Sequence, residues 1–186
     1  TGTINTWGSR NEVQTGLTIG SDYYVQTNGN IQSPTALPTY DLGTAALVSS
    51  FSVASQDTAP NDFAFNTDGT KMYVVGYTND AVYQYSLSTA FTISTASYDS
   101  VSFSIASQSS LPTGLTFNND GTKMYVVCKT NDAVYQYSLS SGFDLSTASY
   151  DSVSLDVSPQ DNLPNSIRFN ANGTKMYIVG AQYEYI

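Results

Sequence analysis

Phe65-Asn-Thr-Asp-Gly-Thr-Lys-Met-Tyr-Val-Val75 occurs three times in this chain with little change. It returns as Phe117-Asn-Asn-Asp-Gly-Thr-Lys-Met-Tyr-Val-Val127 and as Phe169-Asn-Ala-Asn-Gly-Thr-Lys-Met-Tyr-Ile-Val179. Pro60, Pro112 and Pro164 precede the copies at one offset, 52 residues apart. The flanks repeat too. Phe51-Ser-Val-Ala-Ser-Gln56 matches Phe103-Ser-Ile-Ala-Ser-Gln108, and Thr78-Asn-Asp-Ala-Val-Tyr-Gln-Tyr-Ser-Leu87 is identical to Thr130–Leu139. After Gly180 the third copy shortens by four residues to Ala181-Gln-Tyr-Glu-Tyr-Ile186.

Each unit reads as four short strands. The first is expected at about 62–66, 114–118 and 166–170, ending in an Asp-Gly or Asn-Gly turn, a strong hairpin signal. The second is Lys-Met-Tyr-Val-Val, apolar on both faces, as for a strand covered on both sides. A Thr-Asn-Asp turn leads to the third, Val-Tyr-Gln-Tyr-Ser-Leu. The fourth, Val101–Ile105, alternates with period two. No stretch carries a helical period. Four strands in about 40–50 residues, repeated, predict an all-β chain of β-propeller-type blades. Residues 46–186 form that domain, with three repeats and the last truncated. Residues 1–45 lie outside the repeat and form a small N-terminal β module and linker. There, two strands are expected around the Asn28-Gly29 turn, before Pro34 and Pro38.

The motif Pro-x-x-[Leu/Ile/Phe]-x-Phe-Asn-x-[Asp/Asn]-Gly-Thr-Lys-Met-Tyr-Val resembles the blades of YVTN/lactonase-like propellers across residues 46–186. That resemblance implies blade architecture. The lactonase-type enzymes of that superfamily use acidic or His metal ligands at the central channel, and the matching positions here supply no such set. Gly16-Leu-Thr-Ile-Gly-Ser-Asp-Tyr-Tyr-Val25, with Gly43-Thr-Ala-Ala-Leu47, is similar to a bacteriophage tail-fibre module (residues 14–47). Such a module implies an intertwined homotrimer.

Residues 46–54 match the fourth, outer strand yet precede any complete blade, and the last copy stops at Ile186. The expectation is that 46–54 closes the last blade, giving three blades. Three is below the usual range of about four to eight. A homo-oligomer is therefore expected, by ring completion between two chains or as a fibre trimer, or else part of the natural chain is absent. Thr1 is not a natural start, so an upstream segment is expected to have been removed or left out.

Charged residues make up only 11% of the chain, and the net charge is −9. The bases Arg10, Lys71, Lys123, Lys129, Arg168 and Lys175 form no cluster. Nucleic-acid binding needs concentrated positive charge to displace counterions, so it is excluded as a function class. No apolar run of about 18 residues predicts membrane insertion. Cys128 is the single cysteine and the chain has no His, so neither a disulfide nor a Cys/His metal site is expected. Cys128 stands where the preceding copy has Gly76, which reads as a buried small residue.

Clustered oxygens in the Asn-x-Asp-Gly-Thr turns (Asp68, Asp120, Asn172) suit calcium, but plain β-turn chemistry explains them. Most of the carboxylates fall in repeated turn positions, which argues for folding rather than a reaction centre. Abundant Ser without His lacks an activating base. No catalytic residue, metal or cofactor is expected. Tyr83 and Tyr135 alternate with Gln84 and Gln136, so they share a face with Tyr85 and Tyr137. They read either as packing between blades or as a platform for sugar rings. Positions where the copies differ are the other candidates for ligand contact, although drift explains them too. Tyr77, Lys129 and Ala181 form one such set, Asp62, Gly114 and Ser166 a second, and Ala64, Thr116 and Arg168 a third.

The Ser/Thr/Tyr-rich composition and the fibre-like stretch predict an extracellular or virion protein. It would be a structural or receptor-binding part of a phage tail fibre, with a host-surface glycan or protein as partner. A secreted bacterial lectin or adhesion propeller is the alternative, and a lactonase-like or glycosidase-like enzyme the third reading.

Overall fold

A computed structural model describes residues 24–25, 31–32 and 47–182. The chain divides into two units, Thr1–Ala46 and Leu47–Ile186. In the first, β1 (Tyr24–Val25) pairs antiparallel with β2 (Ile31–Gln32), bracketing Asn28-Gly29 as expected. Most of the fibre-like motif, and the expected third strand of the last copy at 183–186, lie outside the described residues.

The repeat unit is all-β. Blade 1 is an antiparallel meander of β3 (Pro60–Phe65), β4 (Lys71–Gly76), β5 (Ala81–Leu87) and β6 (Ala96–Ser104). Blade 2 repeats it as β7 (Pro112–Phe117), β8 (Lys123–Cys128), β9 (Ala133–Leu139) and β10 (Ala148–Asp156). Blade 3 contributes β11 (Pro164–Phe169) and β12 (Met176–Gly180). The first strands begin at the prolines, two residues earlier than expected. A proline is tolerated at the first residue of an edge strand because no ladder bond needs its missing N–H. The fourth strands are also longer than the alternation suggested. Ser100 and Ser152 sit at φ 59°, and a bulge there carries the pairing on to Ala96 and Ala148.

The first turns explain the Asn-x-Asp-Gly-Thr repeat. Asp68 Oδ1 accepts from Thr70 N at 2.9 Å and Thr70 Oγ1 at 2.6 Å, while Asn66 Oδ1 accepts from Lys71 N at 2.9 Å. Gly69 takes φ +71°, which glycine reaches without strain. In the third copy Asn172 Oδ1 accepts from Thr174 N and Oγ1 at 3.1 and 2.6 Å. A neutral amide does the same work there, so the turn uses an oxygen acceptor and not the charge.

Each blade presents two faces. The leading face faces back along the chain, and the trailing face meets the next blade. Tyr73 and Val75 on the trailing face of blade 1 are fully buried with Ile105, Leu115, Met124 and Val126 on the leading face of blade 2. Tyr125 and Val127 meet Ile167 and Phe169 of blade 3 in the same way. The inner strands are tied by matching bonds. Asn61 Nδ2 donates to Pro112 O at 2.6 Å, and Thr113 Oγ1 to Pro164 O at 2.8 Å.

The outer strand expected at 46–54 has its expected partner, residues 183–186, outside the described residues; among the described residues, 47–53 belong to no sheet. They do keep the packing role of their repeat equivalents: Phe51 meets Tyr85 edge-on at 5.6 Å, as Phe103 meets Tyr137 at 5.3 Å. The two ends of the array do not cover each other, because Phe63 on blade 1 is 56% exposed and Tyr177 on blade 3 is 44% exposed.

Candidate functional site

The sequence candidates divide into three groups. Tyr77, Lys129 and Ala181 each follow the second strand of a blade. Their backbone N–H groups make one repeated bond, to Ala59 O at 3.2 Å, Leu111 O at 2.9 Å and Leu163 O at 3.1 Å. The positions are equivalent in backbone and unlike in side chain. Tyr77 is 47% exposed and Lys129 is half-buried. Neither side chain makes a hydrogen bond or ion pair among the described residues. This end of the blades therefore offers a phenol and an ammonium that folding does not use.

Asp62 and Arg168 are brought together from blades 1 and 3. Arg168 Nη1 lies 3.5 Å from Asp62 Oδ2 and donates to Ile167 O at 2.7 Å. Asp62 Oδ2 also accepts from Leu115 N at 3.0 Å, and Oδ1 from Phe63 N at 2.9 Å. One carboxylate thus links the inner strands of all three blades. Gly114 makes this possible, since a Cβ there would sit 2.8 Å from Val127 and 3.0 Å from Ser166. With its side chain 57% exposed, the guanidinium remains reachable, and the ion pair is worth well under about 1 kcal/mol.

Tyr83 and Tyr135 are placed in the core, not on a surface. They are 7% and 8% exposed. Their hydroxyls accept from Asn79 Nδ2 at 3.0 Å and Asn131 Nδ2 at 2.9 Å, and the rings pack on Tyr98 and Tyr150. Stacking a sugar needs an open ring face, and neither ring has one. Burial, partly offset by the Asn79 bond, raises the Tyr83 phenol. Alternation correctly paired these residues with Tyr85 and Tyr137. It could not show that both faces of the sheet are covered.

Sequence reading missed a half-buried ionic cluster that recurs in both complete blades. Lys71 Nζ meets Asp99 Oδ2 at 3.1 Å and Lys123 Nζ meets Asp151 Oδ2 at 2.7 Å. Gln84 and Gln136 donate to the same carboxylates at 2.8 Å. Burial pushes the Asp151 carboxyl up, but bonds from Lys123, Ser138 and Gln136 outweigh it and hold it at about 2. Gln84 Oε1 accepts from Leu145 N of blade 2 at 2.8 Å, so the cluster also joins two blades.

A recess of about 350 Å³ opens between blades 2 and 3, lined in part by Thr116, Asn119, Asp120, Tyr125, Arg168 and Phe169. Its openness has a local cause. Phe91 and Phe143 cover Gly69 and Gly121, but nothing lies within 4 Å of a Cβ built on Gly173. Among the described residues no group of three or more His, Cys, Asp or Glu side chains is placed to hold a metal.

No protein-family model and no curated protein matches the chain. Solved structures do. A protein from Bacteroides uniformis provisionally assigned as a 6-phosphogluconolactonase aligns over 88% of this chain and 44% of its own, with TM-score 0.52 and 14% identity. A protein of unknown function from Desulfotomaculum acetoxidans aligns over 66% and 35%, with TM-score 0.51 and 14% identity. The β-propeller domain of Swd1 from Myceliophthora thermophila aligns more loosely, over 65% and 36%, with TM-score 0.45 and 11% identity. The repeats are β-propeller blades. The chain spans less than half the length of the structures it matches, and at these identities the likeness establishes fold alone.

Proposed function

We propose that this chain is a non-catalytic propeller segment of an extracellular or virion appendage, of the tail-fibre type, that binds a host-surface glycan or protein. The observation behind this reading is the set Tyr77, Lys129 and Ala181. One backbone geometry carries three unlike side chains, and Tyr77 and Lys129 have no structural partner. An exposed phenol and an ammonium at equivalent positions of successive blades suit a hydroxyl-rich or anionic surface ligand, through stacking and charge-assisted hydrogen bonds. The neutral, hydroxyl-rich composition and the fibre-like stretch before the repeat support the location.

The test is binding of the purified chain to a glycan array and to whole bacterial cells, with turnover of bound sugars and lactones followed in parallel. Tyr77→Ala and Lys129→Ala should each weaken binding about tenfold, a loss typical of one well-placed contact. Unchanged affinity in both variants removes the site. Hydrolysis of any ligand replaces the binding reading with an enzymatic one.

A further inference from the structure

We propose that the ligand taken by Tyr77 and Lys129 is an acidic glycan, with its carboxylate held by Lys129 of blade 2 and a sugar ring packed on Tyr77 of blade 1. This rests on the reading of that end of the blades as a binding site, and adds the chemistry of the ligand. Blades 1 and 2 are both complete, so they can be compared position by position.

In blade 1 the backbone that follows Tyr77 is neutralised from within. Thr78 N and Asn79 N donate to the buried Asp57 carboxylate at 3.4 and 3.3 Å, and Ala59 N donates to it at 2.7 Å. Blade 3 repeats the arrangement with Asp161, which accepts from Leu163 N at 2.7 Å and Gln182 N at 3.3 Å. Blade 2 does not. The counterparts Leu111, Thr130 and Asn131 have Ser109 in place of the carboxylate. Ser109 is 5% exposed, and its hydroxyl has no hydrogen-bond partner among the described residues except the weak Cys128 thiol beside it. The blade without an internal anion is also the blade that carries Lys129 directly before these donors. From blade 1 to blade 2, Asp57 to Ser109 removes one negative charge and Tyr77 to Lys129 adds one positive charge. Asp80 and Asp132 occupy one position in the two blades, at φ 47° and 46°, and cancel from the comparison.

Folding leaves that cation unpaired. Lys71, Lys123 and Arg168 each meet an aspartate, whereas Lys129 makes no ion pair among the described residues. In a chain of net charge −9, an unpaired ammonium beside backbone N–H groups that lack their carboxylate is a local attractor for anions. Because the equivalent backbone holds a carboxylate in blades 1 and 3, the ligand anion is assigned as a carboxylate. The surroundings suit a sugar. Thr58 and Thr78 Oγ1 lie 3.0 Å apart next to Tyr77, and Ser110 Oγ and Thr130 Oγ1 lie 3.3 Å apart next to Lys129. Exposed hydroxyls with a phenol match the hydroxyls and ring faces of a saccharide, not the apolar side chains that anchor a protein partner.

The test uses the full chain and the surface polysaccharide of a bacterial strain that it binds, native and after chemical reduction of the carboxyls to alcohols. Reduction should weaken binding about tenfold, the weight of one hydrogen bond to a charged group. Lys129→Gln should lose the same factor on the native polymer and nothing on the reduced one, and Lys129→Arg should retain most of the affinity. Tyr77→Ala should weaken binding to both polymers alike. Binding of the native polymer should fall with rising salt in the wild type and not in Lys129→Gln. Ser109→Asp with Cys128→Gly restores the internal carboxylate beside an intact Lys129, and should also abolish the preference for the native polymer. Circular dichroism checks the fold of each variant, and Lys129→Gln decides if the double variant does not fold. Equal binding of native and reduced polymer overturns the proposal and leaves the binding site standing. So does a preference that survives Lys129→Gln. Salt sensitivity that survives reduction marks a phosphate or sulfate ester, and binding lost on protease treatment of the cells marks a protein; either outcome also overturns it. A chain that binds no strain and no glycan overturns the reading of the site together with this inference.

Discussion

Blades 1 and 2 share a backbone, yet they fill one buried junction by different chemistry. In blade 1, Asp57 is 2% exposed and accepts from Ala59 N at 2.7 Å, Thr78 N at 3.4 Å and Asn79 N at 3.3 Å. Gly76 lies opposite, and a Cβ there would collide with the carboxylate. In blade 2 the same two places hold Ser109 and Cys128, both buried. Burial pushes the Cys128 thiol up to about 12, with Ser109 beside it pulling the other way. Blade 3 returns to Asp161 and Gly180, with Leu163 N donating to Asp161 Oδ1 at 2.7 Å. A large anion with no side chain opposite is exchanged for a small hydroxyl with a thiol opposite. The exchange teaches that the volume of the junction is conserved while its polarity is free to change. The carboxylate is one way to hold the turn, and a hydroxyl with a thiol opposite is another.

The strongest way to break this comparison is to mix the two solutions. Ser109→Asp drives a carboxylate into the space of Cys128 and should destabilise the chain by about 3 kcal/mol, the range for overpacking combined with a poorly solvated charge. Ser109→Asp with Cys128→Gly recreates the blade 1 junction and should recover most of that loss. A coupling of about 2 kcal/mol between the two sites is the expected reading from denaturant unfolding. Additive effects would show that the two blades are not filling one common volume.

A second comparison concerns the aromatic lid over each first turn. Gly69, Gly121 and Gly173 all take φ near +70° (71°, 71° and 69°), but only the first two lie under a phenylalanine. Alanine at Gly121 suffers both the left-handed backbone and the Phe143 ring, and should cost about 2 kcal/mol or more. At Gly173 only the backbone cost remains, about 1 kcal/mol. Equal losses in thermal unfolding would mean that the ring over Gly121 yields without strain.

The blade plan was legible because tandem copies make local chemistry visible three times. The Asp-Gly turns, the two-faced second strand and the equivalence of Tyr77, Lys129 and Ala181 all follow from short-range pattern. The features that stayed hidden depend on register. Lys71 and Asp99 are 28 residues apart, and they meet only because β4, β5 and β6 pair in one alignment after a bulge at Ser100. The exchange of Asp57 and Gly76 for Ser109 and Cys128 stands in plain view in the sequence. Its meaning needed the knowledge that the two positions touch.

The smallest expected effect tests whether the ionic clusters of the two blades are equivalent. Asp151 carries the shorter contact to lysine, 2.7 Å against 3.1 Å for Asp99, and both carboxyls are held below their ordinary value. A carboxylate whose folded pKa is depressed contributes stability above its unfolded pKa and loses it as pH falls through the folded one. For Asp151 that window runs from about 4 down to about 2. Partial solvent screening limits the contribution to on the order of 1 kcal/mol. Asp151→Asn should therefore lower stability at pH 7 by about that amount, and the gap to wild type should close as the pH nears 2. Asp99→Asn should show the same shape with a smaller amplitude, because its lysine is farther away. Urea unfolding across this pH range reads both. Identical curves would mean that the difference in lysine distance carries no energy, and that Gln84 and Gln136, each 2.8 Å from its carboxylate, set the strength of both clusters alike.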